Sequence, residues 1–173
     1  MTIGCSWTDK YPDYITSAYV DKRSYHGKGL WFIENKLNEI DTRRYDKIIV
    51  QLPTPIRFRA SISDTEDSIK EFKLSMMGDD KLLRAYERKI LDISQDSRVV
   101  FLLYNTGGYP FRHPYDFGAQ AEEQVILYME KNGIQHIKVI LEGLHGFTKS
   151  YNDFHPNEAA DKICAKIVEN NIL

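Results

Sequence analysis

The sequence predicts an α/β domain, a parallel sheet with helices on both faces. Three observations predict it. Two apolar runs centred on Ile48-Ile49-Val50 and Val99-Val100-Phe101 carry no polar alternation, which is the pattern of strands buried on both sides. Strand-like and helix-like segments alternate along the chain, with crossovers long enough to return parallel and right-handed. The 173 residues, 42% hydrophobic and 28% charged, suffice for one core and fall short of two ordinary domains, so residues 1–173 are expected to form a single domain.

Taken in order, Met1-Thr2-Ile3 is a strand candidate cut short by Gly4. It is shorter than the usual five or six residues. Residues 9–26 are rich in Tyr, Asp and Lys without a clean period, so a helical turn near residues 14–19 and then a short extended piece are expected. After Gly27-Lys28-Gly29, the apolar residues Leu30, Ile33, Leu37 and Ile40 recur at helical spacing. Residues 46–52 form a β-branched strand stopped by Pro53 and Pro55. Residues 63–93 read as helix interrupted near 77–80, with Ser63 and Glu66 spaced as a capping box.

Residues 98–104 are the second strong strand, ended by Asn105-Thr106-Gly107-Gly108. A helix is expected over 117–131, stopped by Asn132-Gly133. Residues 137–141 are the next strand and 142–153 a loop. A last helix is expected from about Pro156, with proline at the first helical position and Ala159, Ala160, Ile163, Ile167 and Val168 on one face.

A net charge of −2 and a pI near 6.2 supply no electrostatic attraction to nucleic acid or an anionic membrane, and neither is expected as a partner. No segment approaches the roughly 20 apolar residues that span a bilayer, and no charged leader precedes an apolar run. The two cysteines, Cys5 and Cys164, show no metal-ligand spacing and do not make a disulfide framework. The histidines show no metal spacing either. A cytoplasmic, metal-free and cofactor-free protein is expected, with its oligomeric state open.

In an open parallel sheet, ligands bind outside the carboxyl ends of the strands. The segments that follow the strands hold Ser6, Thr54 with Arg57, Asn105, and Asp153 with His155. A serine hydroxyl is a weak nucleophile at neutral pH and needs a base, and the base needs a partner to fix its tautomer. Ser6, His155 and Asp153 fit those three roles. Alternation along the chain gives Cys5 and Ser6 different directions, so Cys5 is expected to be a small buried residue beside the turn, with a thiol nucleophile as the weaker alternative. Arg57 can engage an anionic or sugar substrate through paired hydrogen bonds, and Trp7 can contribute to a sugar platform.

Gly4-Cys5-Ser6-Trp7-Thr8 resembles the first block of the SGNH (GDSL-like) hydrolase superfamily, and Asp153-Phe154-His155-Pro156-Asn157 resembles its last block. The resemblance spans nearly the whole chain. It implies a flavodoxin-like, three-layer α/β/α sandwich and an enzyme that hydrolyses esters, acetyl groups on carbohydrates among them, or transfers acyl groups. Cys5 stands where that family usually has Asp. The resemblance further implies an oxyanion hole made by the backbone N–H of Ser6 and of a second-block glycine, Gly27, with Gly29 as the alternative.

The third block, normally Gly-x-Asn-Asp, corresponds here to Gln51-Leu52-Pro53-Thr54-Pro55 and lacks the asparagine donor. Gln51, Thr54 or Asn105 are candidates to replace it. Loss of one such donor raises the barrier by roughly 3 kcal/mol. The expected function is therefore a serine esterase acting on a small-molecule or carbohydrate acyl ester. Acyl transfer to a sugar hydroxyl, and a non-catalytic binding domain of the same fold, are the alternatives.

Overall fold

A computed structural model describes residues 1–53, 55, 80–105, 117–141, 147–150 and 153–172. Among these, five short strands make one parallel sheet: β1 (Thr2–Gly4), β2 (Lys22–Ser24), β3 (Ile48–Gln51), β4 (Val99–Asn105) and β5 (His136–Ile140). Their order across the sheet is β2-β1-β3-β4-β5. Ile3 lies between Arg23 and Val50, Val50 pairs with Phe101, and Phe101 pairs with His136. This order reverses direction between β1 and β3, and such a reversal opens a crevice at the carboxyl ends of those two strands.

Strand alternation divides the core. On one face Ile3, Ile48, Val50, Leu52, Val99 and Phe101 pack against α1 (Leu30–Asn38), α2 (Asp80–Ile93) and α3 (Phe117–Lys131). On the other, Ile49, Val100, Leu102 and Tyr104 pack against α4 (Glu158–Ile172) and a 3-10 turn over Tyr11–Tyr14. The result is three layers, helices on sheet on helix. At nine residues α1 is too short to hold its shape alone in water. Burial of Leu30, Ile33 and Leu37, each contributing about 1.5–3 kcal/mol, holds it in place.

The sheet-forming runs and α3 sit where the sequence places them, with α3 matching residue for residue. Three expectations need correction. The helical turn expected near residues 14–19 falls earlier, as 3-10 turns over Ser6–Thr8 and Tyr11–Tyr14. The stretch before the last helix contains a two-stranded antiparallel hairpin, β6 (Thr148–Ser150) and β7 (Asp153–Pro156).

The last helix begins at Glu158, two residues beyond the proline. Pro156 closes β7 instead, and the Asn157 side chain caps the helix by accepting the Ala160 N–H at 3.0 Å, a role asparagine fills better than most residues. The part of the expected 63–93 helix before residue 80 lies outside the described residues.

No described helix is long and apolar enough to cross a membrane, and no group of three or more His, Cys, Asp or Glu among the described residues could hold a metal ion.

Candidate active site

β1 carries only three residues, yet it is an inner strand held by parallel partners on both sides. Its exit is a tight turn. Cys5 is extended (φ −82°, ψ −162°), and Ser6 then enters the 3-10 turn. Gly4 is required by close approach: a Cβ there would lie 2.1 Å from Thr8 Oγ1, 2.7 Å from Gln51 Cβ and 2.9 Å from Gln51 Oε1. No side chain fits in that space.

Gln51, the last residue of β3, is 2% exposed. Its Oε1 accepts the Cys5 N–H at 3.1 Å, the Cys5 S–H at 3.0 Å and the Thr8 hydroxyl at 3.3 Å. A backbone N–H can only donate, so the contact to Cys5 fixes which end of the amide faces the turn. Nε2 donates to Leu52 O at 2.7 Å. The Gln51 amide is thus built into the turn beneath the serine.

The same turn is held from the opposite edge. Cys5 O accepts the Ser24 hydroxyl at 3.1 Å and the Thr8 N–H at 3.0 Å, and Gly4 O accepts the Tyr25 N–H at 2.8 Å. Just after β2 the chain reverses: Lys28 N–H donates to Tyr25 O at 3.3 Å, with Gly27 at φ +70°, a conformation that glycine adopts without steric cost. Gly29 is the N-cap of α1.

His155 reaches this turn from the far end of the chain. Its Nε2 lies 2.9 Å from Ser6 Oγ. In the tautomer with its proton on Nδ1, Nε2 accepts the serine hydroxyl, the arrangement a general base needs. Ser6 is buried at 9% exposure and His155 is half-buried, so the pair is shielded yet reachable.

His155 is carried by packing as well as by pairing. Pro156 pairs with Thr148 in the hairpin, Asn157 N–H donates to Phe147 O at 2.9 Å, and Asp161 N–H donates to Asn157 O at 3.0 Å. Behind them, buried Tyr104 donates its hydroxyl to Asp161 Oδ1 at 3.2 Å, and the Tyr11 and Tyr104 rings meet edge to face with centroids 6.1 Å apart. Burial raises the Tyr11, Tyr104 and Cys164 pKa values above their ordinary range. All three groups are neutral under working conditions and serve as packing.

The structure therefore brings Ser6 and His155 together and puts Gln51 and the Gly27 turn beside strands that flank the serine. Asp153 is in β7, two residues before His155, but its side chain, like those of Trp7 and Asn105, lies outside the described residues, as do Thr54 and Arg57 entirely. The residues that sequence reasoning missed are Ser24 and Asn157. Asn157 had a signal, an N-capping residue type just before an apolar-periodic segment. Ser24 had none.

No family model matches the chain and no curated protein matches it in sequence. Solved structures do match in shape. A tryptophan-to-isoleucine variant of Axe2, an acetyl-xylooligosaccharide esterase from Geobacillus stearothermophilus, superposes with a TM-score of 0.67 at 14% identity, over 99% of this chain and 92% of that one. A GDSL-like lipase from Bacteroides thetaiotaomicron superposes with a TM-score of 0.59 at 14% identity, over 99% and 85%.

The chain has the SGNH hydrolase fold. Within that fold the sheet order seen here leaves its crevice between β1 and β3, where Ser6 and Gln51 stand. Identity this low carries the SGNH architecture across, while the chemistry rests on the residues themselves.

Proposed function

We propose that the protein is a serine esterase that hydrolyses a small acyl ester, with acetyl on a carbohydrate as the favoured substrate class. The observation that carries this reading is the 2.9 Å contact between His155 Nε2 and Ser6 Oγ at the carboxyl edge of the sheet. In the proposed mechanism His155 takes the Ser6 proton as Oγ attacks the acyl carbonyl. It then returns that proton to the leaving alcohol, and water, activated by the same imidazole, releases the acid. Asp153 is assigned as the carboxylate that orients His155. The backbone N–H groups of Ser6 and Gly27, with Gly29 as the alternative to Gly27, are assigned to the oxyanion.

Of the three candidates for the missing asparagine donor, Gln51 has its amide engaged in the turn. Its oxygen faces three donors and its nitrogen already donates to Leu52 O. Thr54 and Asn105 remain, on the segments that follow β3 and end β4. Arg57 and Trp7 are assigned to substrate by their sequence positions, which follow β3 and β1.

The carbohydrate preference is supported by the fold shared with the acetylxylan esterase Axe2. Variants of Axe2 described as catalytic replace a serine, an aspartate and a histidine, the aspartate standing three residues before the histidine. Here the residue three before His155 is Asn152, and Asp153 stands one position closer.

The test is turnover of p-nitrophenyl acetate together with labelling by a fluorophosphonate probe, with Ser6→Ala as control. The reading requires that both be lost, turnover by at least about 10³-fold. Absence of labelling and of turnover in the unmodified protein would favour the competing reading, a binding domain of the same fold, which is motivated by the absent asparagine. Formation of an acylated sugar in place of free acid would favour acyl transfer.

A further inference from the structure

The geometry points to Ser24 and Gln51 as a pair of positioning residues that clamp the two peptide units flanking Cys5 and so aim the Ser6 N–H at the developing oxyanion. The inference rests on the serine esterase reading above and concerns how one of its assigned oxyanion donors, the Ser6 N–H, is held.

A peptide unit is planar and trans, so its C=O and N–H point in opposite directions and turn together. The Ser6 N–H belongs to the same unit as the Cys5 C=O. That carbonyl accepts two hydrogen bonds, from the Ser24 hydroxyl at 3.1 Å and from the Thr8 N–H at 3.0 Å. Fixing the oxygen fixes the hydrogen on the far side.

The preceding unit carries the Cys5 N–H, which is held by Gln51 Oε1 at 3.1 Å. Neither peptide can rotate without breaking a contact to a neighbouring strand, β2 on one side and β3 on the other. Hydrogen bonds to a carbonyl also polarise its peptide, which makes the opposite N–H a better donor. Ser24 therefore acts on both the direction and the strength of the Ser6 N–H.

Two alternatives account less well for Ser24. Register is not its task, because the backbone pairs Thr2–Lys22, Ile3–Arg23 and Gly4–Ser24, together with Tyr25 N–H to Gly4 O, set the strand without any side chain. Nor does it fill the core, since it is only half-buried on an edge strand. What remains is its contact with Cys5 O.

Ser24 also permits a clean experiment, because the β2 backbone holds its place when the hydroxyl is removed. For Ser24→Ala, kcat on p-nitrophenyl acetate is expected to fall about tenfold with KM within about twofold. That is part of the roughly 10²–10³-fold lost when a donor is deleted outright. The fluorophosphonate labelling rate is expected to fall in parallel, because the phosphonyl oxygen occupies the same position as the oxyanion. The melting temperature is expected to stay within about 2 °C, as for a surface substitution. Ser24→Thr, which keeps the hydroxyl, is expected to restore both rates.

Unchanged kcat in Ser24→Ala overturns the inference, as does a fall that Ser24→Thr fails to rescue or that only tracks a lowered melting temperature. Turnover that survives Ser6→Ala is a different result, because it removes the nucleophile assignment itself and the inference with it.

Discussion

Glu169, near the end of α4, accepts the backbone N–H of Thr16 at 2.6 Å through its Oε1. The same oxygen accepts the Ser17 N–H at 2.9 Å. One carboxylate thereby ties the helix that follows His155 to the segment that follows Ser6. Those backbone hydrogen bonds hold the Glu169 carboxyl below its ordinary pKa. A folded pKa below the unfolded one gives stability that is complete above the unfolded value, about 4.3 for glutamate, and is lost as pH falls through the folded one. Glu169→Ala is expected to lower the melting temperature at pH 7, and the gap to the unsubstituted protein should close in acid below the ordinary glutamate range. Thermal melts of both proteins from pH 7 down to pH 3 check this. A gap that stays constant with pH would show that the charge is not responsible.

Gly4→Ala sets two effects against each other. Alanine restricts the unfolded chain and gains about 0.4–1 kcal/mol, but its methyl would lie 2.7 Å from Gln51 Cβ and 2.1 Å from Thr8 Oγ1. The Gln51 Cβ is bonded directly to backbone and cannot swing aside, so overpacking of about 1–3 kcal/mol wins. Urea denaturation should show a lower midpoint at unchanged slope, and fluorophosphonate labelling should slow because the displaced groups hold the Ser6 turn. Equal midpoints would mean that the turn has room this geometry denies it.

Gln51→Leu keeps the approximate volume and removes the acceptor. The buried Cys5 N–H then loses its bond to Gln51 Oε1, at a cost of about 1–3 kcal/mol, while the Thr8 hydroxyl can turn elsewhere and the thiol loses little. The expected outcome is a loss of stability within that range by denaturant titration. A neutral or stabilised Gln51→Leu protein would contradict the account of this amide as a strut.

Asp153→Ala is expected to lower kcat on p-nitrophenyl acetate roughly 10²–10⁴-fold while leaving fluorophosphonate-labelled Ser6 detectable after long exposure. Because Asn152 stands where Axe2 has its aspartate, the double change Asn152→Asp with Asp153→Ala tells the two spacings apart. Recovery of activity in the double variant would mean that three residues before His155 is an equally good place for the carboxylate. Full activity in the Asp153→Ala variant alone would remove Asp153 from the mechanism.

The comparison of sequence with structure follows from what each residue must satisfy. β3, β4 and α3 were legible because burial on both faces leaves an apolar run, and because Asn132-Gly133 ends α3 in a way few residues can. β2, with its sequence Lys22-Arg23-Ser24, was foreseen only as an extended piece, since an edge strand is defined by the β1 backbone beside it rather than by its own side chains. The β6–β7 hairpin went unread for a related reason: its residues show no alternation, and their pairing depends on Phe147 and Asn157 meeting across it.

At the site, chemistry restricts the choice of residue types enough for the sequence to single out Ser6 and His155, whose side chains meet at 2.9 Å. The sequence offers Gln51 as a candidate donor to substrate, and in the fold its Oε1 accepts from Cys5 and Thr8. Only the register of β1 against β3, which no local pattern encodes, puts it there.

The contact between His155 and Ser6 also makes the site a reporter on its own folding. The two residues are 149 positions apart, and everything that brings them together, from the insertion of β1 between its neighbours to the docking of α4, must be complete before Ser6 Oγ meets His155 Nε2. On the ribosome the serine emerges 149 residues before the histidine, so the nascent chain carries that hydroxyl without its imidazole partner over the whole of that interval. On the proposed mechanism, reaction with a fluorophosphonate would then count native molecules and not merely synthesised ones.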